Sequence, residues 1–341
     1  MDIVGFLVSW LTLYGVYAIL SVSLNLEIGF TGISNFGKVA FYGIGAYLNA
    51  LITVLVILTV NGVNAPITSI EAITALSKYG SANPPLNMFL FILVLVLAFL
   101  VAGSVGYLIT YPTLRVGPAF VGITLVSFGE MLRVFLRNYN PAGGTYGIAG
   151  IPNPFSWISD PMVKQIVFLS LVMGLLALTY VFAVKLTNSP FGRVMKSIRE
   201  DEIAALCLGK NVPKFKAKVL FIGSGLAGIA GVLLVSYIGF ATPDMLITTV
   251  TFDVWGMVIL GGMGNIKGSL VGSLIITLID RLSFLLNVFF PSLIIDPNFL
   301  RWMILGLIII LVLMFKPRGL IPEKPIKTAA LDMLSKEEVK K

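Results

Sequence analysis

The stretch Ser189–Leu220, SPFGRVMKSIREDEIAALCLGKNVPKFKAKVL, is the one long, highly charged segment in an otherwise apolar chain. Apolar runs stand on both sides of it. Within it Ser197-Ile-Arg-Glu200 has the spacing of a capping box and predicts a helix start. Gly209 is placed to stop that helix about three turns later. The resulting helix ends in the apolar run Ile203-Ala-Ala-Leu-Cys-Leu. A short helix with an apolar stripe, held between membrane spans, must bury that stripe on something. The membrane surface is one option and a groove in a partner protein the other.

The rest of the composition agrees with a membrane setting. The 341 residues are 57% hydrophobic and 12% charged, with a mean hydropathy of +0.97. A soluble domain carries about 25% charged residues, so this chain cannot make a water-compatible surface. It reads as an all-α, polytopic integral membrane protein. The net charge of +8 does not point to nucleic acid. The basic residues gather in the Ser189–Leu220 segment and after Phe315, as the positive-inside rule expects. The single cysteine, Cys207, removes disulfide and CxxC frameworks. The absence of histidine removes His-based triads, metal sites and proton relays. The opening MDIVGFLVSW has no basic n-region or cleavage pattern and is expected to be a first retained span.

Along the chain about nine spans (8–10) are expected: 3–24, 48–60, 86–109, 117–136, 162–186, 218–240, 249–262, 268–290 and 299–315. The glycine-rich stretches 25–47 and 249–268 are expected to be broken or re-entrant. A short helix is expected around Ser69–Lys78 in the loop 61–85. The prolines and glycines of 137–161 preclude a regular helix there. Residues 1–316 thus form a membrane domain whose main loop is 187–217, and 317–341 form a charged, loosely ordered tail. Between Lys185 and Lys218 eight Lys/Arg face three acids, and the tail from Lys316 adds seven basic residues. Both are expected on the cytoplasmic side, with the loops 61–85 and 137–161, the turns near Asp244 and Asp296, and the N-terminus outside.

Several polar residues fall at membrane depth, where a charge costs several kcal/mol unless paired or wetted. They are Asn25, Glu27, Asn35, Lys38, Glu130, Arg133, Asp253, Asp280 and Arg281. Glu130 and Arg133, three apart on one helix, are placed to satisfy each other. Asp280 and Arg281 point to different faces and each needs a partner from elsewhere. Broken helices are where transporters place their pathway, which favours Asn25, Glu27, Asn35, Lys38, Asp253 and Asn265 as its candidate lining, with Glu130 kept as a further candidate. Structural ion pairing is the competing role for each of them. Gly223, Ala227 and Gly231 lie four apart, as do Gly264, Gly268 and Gly272, a spacing that lets helix backbones approach. Packing within the subunit is the first reading of them, and a seam with a partner subunit around a pathway is a second that is compatible with it. No Walker A pattern occurs: Gly209-Lys210-Asn211 lacks the upstream glycine and the Ser/Thr. No catalytic set, cofactor or metal site is visible, so if transport uses ATP another subunit must hydrolyse it.

The run FGRVMKSIREDEIAALCLGKNVPKFKAKVLFIGSGLAGIAGVLL closely resembles the permease subunits of ABC importers for branched-chain amino acids. Ser23–Tyr47, GGTYGIAGIP (143–152), GGMGNIKGSLVGSL (261–274) and FKPRGLIPEK (315–324) are similar to other ordered signatures of that family, so the resemblance covers nearly the whole chain. It implies that the loop docks an ATP-binding subunit. Glu202, Ala204, Ala205 and Gly209 would stand for the family's coupling motif, with Ser197, Arg199, Glu200 and Asp201 beside it. The partners implied are a second permease, two cytoplasmic ATP-binding subunits, an external binding protein and an amino acid substrate. The chain itself would do no covalent chemistry. It departs from the family pattern at Asn35 and Lys38, where Ser and His are common. Related permeases for urea, amides or sugars, and a stand-alone secondary transporter, are the alternative readings.

Overall fold

The computed structural model describes residues 3–63, 65–114, 118–289 and 297–323. The expected turn at Asp296, the start of the fourth span at Gly117 and the tail beyond Glu323 lie outside them. The regular structure of the described chain is helical apart from one short β pair. Its helices, in order, are α1 (Ile3–Thr31), α2 (Lys38–Val60), α3 (Ile70–Ala82), α4 (Pro84–Thr113), α5 (Pro118–Asn138), α6 (Pro161–Asn188), α7 (Pro190–Glu200), α8 (Glu202–Cys207), α9 (Val212–Ile238), α10 (Thr248–Gly261), α11 (Ile266–Phe289) and α12 (Pro297–Phe315). Among the described residues, α1, α2, α4, α6 and α9 are long and apolar enough to cross a membrane by length and composition. Helices α5, α10, α11 and α12 lie where the other four spans are expected. The protein is an all-α, multi-pass membrane protein.

Two expectations are sharpened. The first span ends at Thr31 rather than Leu24, because Asn25 and Glu27 find partners inside the bundle and the helix need not stop at them. The break expected somewhere in 25–47 is confined to Gly32–Gly37, opened by Gly32 at φ +75°, a backbone state that glycine adopts at little cost. The second glycine-rich stretch is a hairpin of two helices. Here α10, 14 residues or roughly 21 Å long, turns through Gly262–Asn265 into α11. The two backbones lie too close for side chains: a Cβ on Gly261 would sit 2.0 Å from the Gly268 carbonyl oxygen, and one on Gly272 1.9 Å from that of Met257.

Helix α9 is the hub and packs on α1, α2 and α4. Gly223, Ala227 and Gly231 all lie on its buried surface. A Cβ on Gly231 would meet the Tyr42 carbonyl oxygen at 2.0 Å, and one on Gly45 that of Gly228 at 2.0 Å. These small residues therefore serve packing within this subunit. Gly264 is the exception in its set, lying in the α10–α11 turn at φ +76°.

The bundle has two distinct ends. At one, the loops 61–85 and 137–161 come together: Asn87 donates to the Asn153 carbonyl (2.8 Å) and Ser156 to that of Gly80 (2.8 Å). There β1 (Ile148–Ala149) pairs antiparallel with β2 (Phe240–Ala241), and Ser69 caps α3 by accepting from the Ala72 amide. At the other end lie α7, α8, the α10–α11 turn and the start of the tail. The grouping of loops read from charge is thus reproduced. The first residues of the tail are not loose: the Leu320 and Ile321 amides donate to the Leu260 and Gly261 carbonyls at 3.0 and 2.9 Å.

Candidate functional site

The charged segment is two helices, and this corrects the single Ser197–Gly209 helix expected from the capping-box spacing. Ser189 is the cap, its hydroxyl accepting from the Gly192 amide at 3.3 Å, with Pro190 in the first turn. Proline is tolerated there because its missing N–H would be unpaired anyway. Ser197 lies in the last turn of α7, where its hydroxyl donates to the Val194 carbonyl instead of capping anything. The chain then straightens at Asp201 (φ −151°, ψ 109°), whose carboxylate accepts from the Ile203 and Ala204 amides at 2.9 and 3.0 Å and starts α8. Gly209, at φ +75°, ends α8 as expected.

One side of this pair is anchored. Met195 and Ile198 of α7 and Ala205 of α8 are buried, the last two in a small cluster with Val212. Glu202 pairs with Lys216 of α9 at 2.7 Å. Arg199 pairs with Glu200 at 2.6 Å and with Glu323 at 2.8 Å, and donates to the Gly29 carbonyl near the end of α1. Burial works to lower the Arg199 pKa, but its hydrogen bonds to Glu200 and Glu323 outweigh that and hold it above the usual value. The other side is bare. Ile203 is 73% exposed and Leu208 76%, with Leu206 beside them. Ile203, Leu206 and Leu208 thus make an exposed apolar face on an end lined with lysines and arginines.

The polar residues of the broken segment form a sealed network. Lys38 and Glu27, 1% and 0% exposed, pair at 2.8 Å. Lys38 also donates to the Gly223 carbonyl (3.0 Å), and Asn35 to Glu27 (2.9 Å). The Asn35 carbonyl accepts from Trp255, and its side-chain oxygen accepts from the Gly37 amide, both at 3.0 Å. Asn25 bridges to the α10–α11 turn, donating to the Asn265 carbonyl (2.9 Å) and the Ser269 hydroxyl (2.6 Å) and accepting from the Gly264 amide (2.9 Å). Asn265 itself reaches the tail, its side chain donating to the Pro322 carbonyl at 2.9 Å. Every one of these groups has a partner, which is the condition for burying them.

A second polar group lies nearer the other end of the bundle. Glu130 accepts from the Thr248 hydroxyl (2.6 Å) and pairs with Arg133 (3.4 Å), which also reaches Asp244 (3.1 Å). The two charges do satisfy each other, as their i,i+3 spacing predicts. Asp253 pairs with Arg301 of α12 at 3.0 Å, and Asp280 binds the same guanidinium. Arg281 reaches Ser9. Thus Asp280 and Arg281 each find a partner on another helix. Asp253, Asp280, Arg301 and Tyr17 border a cleft of about 290 Å³. Sequence reasoning did not single out Arg301 or Glu323. Both lie distant in sequence from the groups they bind, so no spacing rule exposes them. Among the described residues, no group of His, Cys, Asp or Glu is arranged to hold a metal ion.

Comparison with known proteins extends this picture over the whole chain. Residues 6–313 match the family model described as branched-chain amino acid transport system / permease component. A probable branched-chain amino acid transport permease protein LivM of Methanocaldococcus jannaschii is 32% identical, over 96% of each chain. The LivM permease protein of the high-affinity system of Escherichia coli is 28% identical, over 91% of this chain and 69% of its own. The LivH permease protein of the same organism is 25% identical, over 80% of this chain and 83% of its own. No solved structure gives a significant match. With the family model covering nearly all of the described bundle, the chain belongs to the branched-chain amino acid transport system permease family.

Proposed function

We propose that this protein is a transmembrane permease subunit of an ATP-binding-cassette importer for branched-chain amino acids. Family membership supports the class. Its relatives carry branched-chain amino acid transport in their names, and separate LivM and LivH permeases among them support a paired subunit here. The partners are then a second permease, two ATP-binding subunits that bind and hydrolyse ATP, and an external binding protein that delivers the amino acid. The basic end, with α7, α8 and the tail, faces the cytoplasm.

The observation that carries the reading is the bare apolar face of α8 on that basic end. ATP-driven closure of the docked subunits moves α7–α8. Arg199 carries the motion to the end of α1, and the broken segment and the α10–α11 hairpin reorient around the pathway. Asn25, Glu27, Asn35 and Lys38 then act as the packed hinge behind the pathway, while Glu130, Asp253 and Asn265 lie nearer the surfaces that change. The docking face is tested by Ile203→Glu with Leu208→Glu. The double variant should insert and accumulate normally, since both side chains are exposed in the isolated chain. It should lose co-purification of the ATP-binding subunit and leucine uptake. Normal uptake by the variant would sink the proposal.

A further inference from the structure

The ending FKPRGLIPEK, singled out in the sequence, has no part in the docking face, yet its first residues are built into the same end of the molecule. After α12 the chain turns at Lys316–Gly319, where the Gly319 amide donates to the Lys316 carbonyl at 2.8 Å. Gly319 (φ +78°) then passes directly over Gly262. A Cβ on Gly319 would lie 2.4 Å from the Gly262 α-carbon, and one on Gly262 2.3 Å from the Ile321 carbonyl oxygen. Two glycines are what allow this crossing. The segment hydrogen-bonds to the last carbonyls of α10, those of Leu260 and Gly261, and accepts from the side chain of Asn265. It ends at Glu323, whose carboxylate lies 2.8 Å from Arg199 and 3.0 Å from Lys196, both on α7. Glu323 is three-quarters buried. It is also tight against Gly264, where an added Cβ would meet Glu323 at 2.7 Å and Arg199 at 2.9 Å.

One carboxylate therefore joins α7 to the α10–α11 turn through a strand of tail that is itself fixed to that turn. We propose that Glu323 is a positioning residue for transport: it makes the tail segment Lys316–Glu323 a strut that carries displacement of α7–α8 into the α10–α11 hairpin. The inference rests on the functional reading above, in which α7–α8 receives the motion of an ATP-binding subunit. The link through Arg199 to Gly29 leads first to α1, and reaches the hairpin at its turn through Asn25 and the packing of Gly29 on Gly264. The link through Glu323 adds the end of α10, to which the tail is hydrogen-bonded, so the two together move both sides of the polar network at once. A contiguous chain of packed and hydrogen-bonded groups is the physical means by which such coupling travels.

The test uses the full complex with its ATP-binding subunits, second permease and binding protein, reconstituted in liposomes with leucine as the probe. Leucine taken up per ATP hydrolysed is measured for wild type, Glu323→Lys, Glu323→Gln and the exchange Lys196→Glu with Glu323→Lys. The expected result for Glu323→Lys is an ATP-binding subunit that still co-purifies and hydrolyses ATP, while uptake per ATP falls roughly tenfold, within the usual range of coupling between sites. Glu323→Gln should fall between that and wild type, and the exchange should recover part of the loss. Unchanged uptake per ATP in Glu323→Lys overturns the proposal. So does loss of co-purification, which would make Glu323 part of docking, and so does an exchange that recovers nothing. If Glu323→Lys does not accumulate, Glu323→Gln decides by the same ratio. A wild-type complex that holds no ATP-binding subunit would overturn both this inference and the functional reading beneath it.

Discussion

Lys38 and Glu27 show how two charges are kept inside a bundle that lipid surrounds. Each is enclosed, and each has a second partner besides the other: Gly223 for the lysine, Asn35 for the glutamate. Removing one member of a buried pair leaves the other uncompensated, at about 3–5 kcal/mol. Lys38→Met should therefore lower the thermal midpoint of the detergent-solubilised protein sharply. Adding Glu27→Gln should restore most of the loss, because neither remaining group then carries a charge. Were the single variant as stable as wild type, the pair would not be structural. The sequence identified both residues as anomalous at membrane depth but left open whether they line a pathway or pair. Eleven positions apart across a helix break, they have no spacing that predicts contact. What brings them together is the return of the chain through Gly32–Gly37, a tertiary event.

At the scale of elements, the charged segment was legible in part. Its end at Gly209 follows from a local rule, because a left-handed residue stops a helix wherever it occurs. Its beginning was misassigned because two cap signals compete, Ser197 with Glu200 and Ser189 with Pro190, and spacing alone does not rank them. The fold chooses Ser189 because Met195 and Ile198 are then carried inward on α7. Asp201 divides what remains, and the division sets the angle at which α8 presents Ile203 and Leu208. Replacing Asp201 by Ala removes a cap worth about 1 kcal/mol. It should reduce retention of the ATP-binding subunit on affinity purification, with the amount of permease in the membrane unchanged. Asp201→Asn keeps an accepting oxygen and should behave as wild type; equal loss in both would point to charge instead of the cap.

For the whole molecule, hydropathy and basic residues were enough to foresee an all-helical, multi-pass bundle and which loops share an end, since both depend on the bilayer more than on packing. Pair contacts between distant helices were beyond their reach: Arg301 with Asp253 and Asp280, and the tail across Gly262. The glycine spacings fall between these cases, marking close approach without naming the helix approached. The centrality of α9 gives them a measurable consequence. Gly231→Leu would drive a side chain into the Tyr42 carbonyl and should prevent accumulation of the protein. Gly174→Leu on α6, where nothing lies within 4 Å, should leave thermal stability within about 0.5 kcal/mol of wild type. Similar behaviour of the two would mean that α9 is not the core around which the others pack.

The chain's one cysteine stands on the exposed part of α8, two positions before the glycine that ends it. Nature has thus left a single thiol handle beside the surface proposed for docking. A maleimide dye attached there needs no engineered cysteine and no cysteine-free background, and it reports on that surface in the unaltered protein.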